Sequence, residues 1–159
     1  MRTFLPIPSF QASAAVPDVR RLGEQRVEAL QVLRGLLVPG HGGRRHPAVR
    51  RGAGHEEALV RYGPDACRNP AAEGRGDTWA VTLAQYFRAW LPGGAPRTQE
   101  QSAADGDLPP WLGTPDFHRS HRSALLRKDP GFHRPHFPGG AEDLPYVRPA
   151  SDRGTGAAR

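Results

Sequence analysis

The sequence predicts a mainly α, compact single-domain fold with long Pro/Gly-rich loops. Three observations carry that prediction. The chain has 159 residues, close to the usual size of one domain and long enough to bury one main core. Apolar residues recur at helical spacing in several stretches bounded by capping residues and breakers. Its 17 prolines and 19 glycines fall mostly in three places, which separates helices by long loops instead of building an idealised bundle.

Residues 1–10 alternate Thr3, Phe4, Leu5, Ile7 and Phe10 with two prolines, an extended, partly buried arm pinned to the core. Asp18 caps a helix expected over Val19 to Val38, ended by Pro39 and Gly40. On its wheel Leu22, Arg26, Ala29, Leu30, Leu33 and Leu37 share one face and Glu24, Gln31 and Arg34 the other. Arg26 is the misfit in that stripe: it either borders a cleft or bridges a nearby carboxylate, because an unpaired buried charge is costly. Residues 39–54 read as loop and carry Arg44, Arg45, Arg50 and Arg51 beside His46. Glycine-rich backbone with clustered Arg approaches phosphates closely, and a solvated loop is the alternative.

A second helix is expected over His55 to Tyr62, interrupted at Pro64, and a third from about Asp77 to Trp90, with Trp79, Leu83, Tyr86, Phe87 and Trp90 facing the core. Residues 92–117 read as loop, in which Leu108-Pro-Pro-Trp-Leu112 forms an apolar clasp. A short basic helix follows over His118 to Lys128, stopped at Asp129-Pro130. The remainder reads as proline-broken coil ending in a disordered tail, and no internal repeat is visible.

The formal charge of +6 and isoelectric point near 10.6 favour a polyanionic partner, since cations that neutralise phosphates release counterions. Of the 22 basic residues 21 are Arg, so coding bias competes with selection for binding as the source of this basicity. Cys67, the lone cysteine, excludes an intramolecular disulfide and a four-cysteine zinc site. The start of the chain lacks a signal peptide's apolar stretch, and no run approaches a membrane span of roughly 18 apolar residues. A soluble, cytoplasmic, nucleoid-associated protein with no membrane and no obligate protein partner is the expectation.

Two His-x-x-His pairs, His118 with His121 and His133 with His136, raise the question of a metal. The second spans Pro135 and lacks a supporting carboxylate other than Asp129, so no metal and no cofactor are expected. Phosphate contact is the favoured use of this segment, with Arg119, Arg122, Arg127, Lys128 and Arg134 beside the histidines. Neither a nucleophile elbow nor a phosphate loop occurs. Primary amines are scarce, which makes them informative: Lys128 is the only lysine, and the chain's α-amino group is the other amine. An α-amino group titrates near 7.7 to 8.0, so a useful fraction is neutral and nucleophilic at physiological pH.

Several segments point one way together: Met1-Arg-Thr-Phe-Leu-Pro, Arg20-Arg-Leu-Gly-Glu-Gln-Arg-Val-Glu-Ala-Leu-Gln-Val-Leu33, His46-Pro-Ala-Val-Arg50, and Pro109-Pro-Trp-Leu-Gly113 with His118-Arg-Ser-His-Arg-Ser-Ala-Leu-Leu-Arg-Lys-Asp-Pro130. They resemble an uncharacterised bacterial branch of the pyrimidine-dimer DNA glycosylases, relatives of phage endonuclease V. The resemblance implies an endonuclease V-like helical domain over residues 1–148, with residues 149–159 as a tail. It implies a DNA repair glycosylase and abasic-site lyase acting on double-stranded DNA, in which the N-terminal amine attacks the sugar and forms an imine. Met1 is then the nucleophile and Glu28 the supporting carboxylate, with a three-residue shift placing Gln25 there instead. DNA contacts are expected from Arg2, Arg21, Arg26, Arg44, Arg45, His46, Arg50, His118, Arg119, His121, Arg122, Arg127 and Lys128. A non-catalytic nucleic-acid-binding protein on the same scaffold is the second reading.

Overall fold

The computed structural model describes residues 4–17, 19–67, 81–82, 85–86, 88–89, 91–94 and 96–149, with the side chains of 19, 20 and 64–67 excepted. Helices occur among the described residues and strands do not, as the periodicity predicts. After an extended arm come α1 (Phe10–Ala15), α2 (Val19–Leu37), a 3-10 turn (Gly42–Arg45), α3 (Pro47–Gly52), α4 (Glu56–Cys67), α5 (Gln99–Ala104), α6 (Pro115–Lys128) and α7 (Pro130–His133). Residues 81–82, 85–86 and 88–89 are helical, within the expected third helix. Asp18, Asp77, Trp79, Leu83, Phe87 and Trp90 lie outside the described residues.

α2 is the spine. Its buried positions are Leu22, Gln25, Ala29, Leu30, Val32 and Leu33, a stripe at three- and four-residue spacing. Gln25, not Arg26, is thus the polar residue within the stripe, and Arg26 sits half-buried at its edge. Leu22 and Ala29 join Leu5, Phe10, Ala58, Tyr62 and Phe117 in one core cluster, against which Trp111 and Leu112 pack as the expected clasp. Gly35 lets α3 lie close, since a Cβ there would come within 2.7 Å of Val49 Cγ2.

Several elements depart from the sequence expectation, among them α7, which forms over Pro130–His133 just past the expected stop. α1 occupies residues read as arm, capped by Ser9 Oγ, which accepts from Ala12 N–H at 3.2 Å. The expected loop 39–54 contains α3, because His46 Nδ1 accepts from Ala48 N–H at 3.2 Å with Pro47 at the first helical position, where a missing N–H costs nothing. α4 continues past Pro64 to Cys67: the upstream turns bury Ala58, Val60 and Tyr62, which sustains the helix against one lost backbone bond. α5 lies in the expected loop 92–117, started by a reciprocal capping box between Thr98 and Gln101. Arg97 beside it binds Glu57 on α4 at 2.6 Å, Asp105 at 2.5 Å and Asp107 at 2.9 Å, and its hydrogen bond holds the Glu57 carboxyl below the usual range.

α6 starts at Pro115, earlier than expected, and lies between the two extended ends of the described chain. Its residues 118–123 read His-Arg-Ser-His-Arg-Ser, a triplet repeated at the i, i+3 spacing that stacks like residues on one face. The two serines hold the returning segment: Leu144 N–H donates to Ser123 Oγ at 3.0 Å and Val147 N–H to Ser120 Oγ at 3.1 Å. Arg127 reinforces it by donating to the carbonyls of Glu142 and Leu144, each at 2.8 Å. Ser120 is buried, so Ser120→Ala leaves the Val147 N–H without its acceptor. A loss of about 1–3 kcal/mol in urea denaturation is expected, and an unchanged midpoint would show that the segment is not held there.

Candidate functional site

A cleft of about 180 Å³ opens between α2 and the C-terminal end of α6. Its α2 wall presents Arg21, Glu24, Gln25 and Glu28, positions spaced 3, 1 and 3 apart that form one helical stripe beside the buried one. Phe4, Pro17 and Leu125 supply the apolar surface, and Lys128 stands on the opposite rim. Lys128 Nζ is 4.0 Å from Glu24 Oε2 and 5.8 Å above the Phe4 ring, within the range of a cation–π contact. Arg21 pairs with Asp129 and covers the Phe132 ring at 5.0 Å.

Gln25 and Glu28 are chemically separated by their surroundings. Gln25 is 4% exposed, and its Oε1 accepts the Tyr62 hydroxyl. Burial, then the charge of Glu28, hold that hydroxyl above its ordinary pKa, so Tyr62 stays a neutral donor. Gln25 is therefore spent inside the fold, and Glu28, half-buried on the cleft wall, is the carboxylate one helical turn beyond it. A shift of register between these two positions exchanges a structural amide for an acid.

The remaining expected site residues divide by location. Met1 and Arg2 lie outside the described residues. Arg44, Arg45, Arg50 and Arg119 are exposed, and Arg119 stands 3.9 Å from Asp116. His46 is half-buried as the cap of α3. His118 and His121, expected at a phosphate, are 2% and 0% exposed and are spent on the N-terminal arm. Leu5 N–H donates to His121 Nδ1 at 2.9 Å, and Leu5 O lies 2.7 Å from His118 Nδ1. Arg122 donates to Pro6 O at 2.9 Å. Burial leaves these histidines no face for a polyanion, and Arg122 and Arg127 already serve backbone carbonyls. The triplet repeat was the available signal for this role: three like pairs at helical spacing belong to helix faces, where basic composition alone reads as surface.

A second, apolar pocket of about 50 Å³ involves Leu5, Phe10, Tyr62 and Trp111, with Arg51 5.6 Å above the Trp111 ring. Among the described residues no cluster of three or more His, Cys, Asp or Glu side chains could hold a metal ion, and no helix is long and apolar enough to cross a membrane.

The sequence model of pyrimidine dimer DNA glycosylases matches residues 1–73. No curated protein and no solved structure matches the chain. The matched stretch takes in the arm and α1 through α4, and stops short of α6 and Lys128. Over residues 1–73, which carry the α2 wall of the cleft and both candidate positions for its acid, the chain is similar to the pyrimidine dimer DNA glycosylases.

Proposed function

We propose that the protein is a DNA repair glycosylase and abasic-site lyase whose reaction centre is the Glu28 cleft and whose nucleophile is the amine of Met1. The observation that carries this reading is the shared cleft wall of Phe4 and Glu28. Phe4, three residues after the proposed nucleophile, lines the same cleft as Glu28, and an extended chain spans at most about 3.3–3.6 Å per residue.

In the proposed reaction the neutral amine donates its lone pair to C1′ of the damaged nucleotide and the glycosidic bond breaks toward the base. The base leaves with that electron pair and takes up a proton; the new C1′ amine then loses a proton and the C1′–O4′ bond opens, with O4′ protonated, to give the imine, which acidifies the C2′ proton. Removal of that proton and expulsion of the 3′ phosphate complete a β-elimination, and water then releases the amine. In this reading Glu28 stabilises the cationic imine or carries the C2′ proton. Lys128, Arg21 and half-buried Arg26 lie on or beside the cleft for phosphate contact, with exposed Arg44, Arg45, Arg50 and Arg119 available for the flanking backbone.

The test is incision of duplexes carrying one pyrimidine dimer, one abasic site or no lesion by untagged protein. Cleavage of both damaged duplexes and none of the intact one is expected. Binding of all three alike, steeply weakened by salt and without incision, would favour the non-catalytic reading instead.

A further inference from the structure

We propose that His118, His121 and Arg122 are positioning residues for the N-terminal amine: they grip the backbone of Leu5 and Pro6 and so fix the register of the arm, with Phe4 on the Glu28 cleft, from which the chain runs to the amine. The inference rests on the reading of that amine as nucleophile.

The hydrogen-bond chemistry of the grip is unambiguous. Gly113 N–H donates to His118 Nε2 at 2.9 Å, so the ring carries its proton on Nδ1 and donates it to Leu5 O at 2.7 Å. His121 does the reverse, accepting Leu5 N–H on Nδ1 at 2.9 Å. In an extended chain the N–H and C=O of one residue point the same way, and the two histidines meet them as a neighbouring strand would. Arg122 then takes Pro6 O, and Pro6 has no N–H to leave unmet. The backbone polar groups of residue 5 and the carbonyl of residue 6 are thus all held by side chains of α6.

This grip fixes register as well as attachment. Leu5 points into the core cluster with Phe10, Leu22 and Phe117, and Phe4 to the other side, with Leu125 and Leu126, as alternation in extended chain requires. A slide by one residue would exchange those faces, and in one direction would set Pro6, which has no N–H, against the His121 acceptor. Packing alone could hold an arm somewhere near α6. The paired donor and acceptor hold it at one register, on the same helix that brings Leu125 and Lys128 to the cleft.

The experiment uses the untagged full chain and an abasic duplex, reading the single-turnover rate of borohydride-trapped adduct and, separately, duplex affinity. Three variants are compared: Arg122→Met, which keeps the aliphatic stem at a half-buried site; His121→Phe, which keeps the ring and loses the acceptor; and a glycine inserted between Thr3 and Phe4. Each is expected to slow adduct formation about 10- to 100-fold, the scale of an ångström-sized misplacement of a reacting group, with affinity within about threefold of the parent. Because the insertion and Arg122→Met disturb one quantity, together they should cost less than the product of their separate effects. Adduct formation at the parent rate in both Arg122→Met and His121→Phe, or fully independent effects of insertion and substitution, would overturn the positioning role. Absence of adduct from the parent would overturn the nucleophile reading first, and this inference with it.

Discussion

Glu28→Gln is expected to slow strand cleavage at an abasic site by about 10²- to 10⁴-fold, the usual range for a positioned acid–base group, with duplex affinity changed by less than about threefold. Gln matches the shape of Glu and removes only its charge and proton capacity. Two features make the effect selective. Glu28 lines the cleft across from Lys128, and the adjacent polar position on that face, Gln25, is committed to Tyr62 and cannot substitute for it. Single-turnover cleavage and fluorescence anisotropy on one duplex separate the two quantities. A variant that cleaves at the parent rate would remove Glu28 from the chemistry, and one that loses affinity as fully as cleavage would make it a binding residue.

Acid is expected to loosen the fold well before the carboxylates titrate, through His121. Burial first, then the charges of Arg51 and His118, push its pKa down to about 3, and burial also lowers that of His118. With the folded pKa below the unfolded value, the unfolded chain binds the extra proton. The stabilisation is therefore complete above about pH 6.5 and is lost as pH falls toward about 3. Well inside that window each pH unit costs about 1.4 kcal/mol for one such group, and between pH 6.5 and 4.5 His121 alone costs about 2 kcal/mol. Urea midpoints across that range should fall steeply, and His121→Phe should flatten the dependence. Equal slopes in parent and variant would show that His121 is not the group responsible. The structural reason is direct: a proton on His121 Nδ1 would face the Leu5 N–H that this nitrogen now accepts.

The helical class, the length of α2 and its stop at Pro39-Gly40 were legible because α2 combines a sustained apolar period with breakers that act locally; Gly40 takes the positive φ of 75° that suits glycine. The short helices were not. α1, α3 and α5 each have 6 residues, too few for periodicity to register, and they start on local caps. Thr98-x-x-Gln101 is a capping signature that a search for that motif would have found, whereas a histidine capping α3 gives no comparable cue. The wheel of α2 was off by one position because Arg26 and Gln25 are adjacent: which polar residue lies inward is decided by Tyr62, 37 residues away. For the site, the glutamate of the proposal comes from the family resemblance and the two scarce amines from composition. The use of His118, His121 and Arg122 was not, because their partners are backbone atoms 113 to 116 residues distant and no local pattern announces a backbone ligand.

The most direct test of the nucleophile is borohydride trapping on an abasic duplex, followed by mass spectrometric location of the adduct within the protein. Untagged protein and Lys128→Arg are expected to give the same covalent band, with the added mass on the Met1 peptide, and an N-terminal extension should abolish it while salt-sensitive binding persists. An adduct mapped to Lys128, or a band that survives both the extension and Lys128→Arg, would contradict the account.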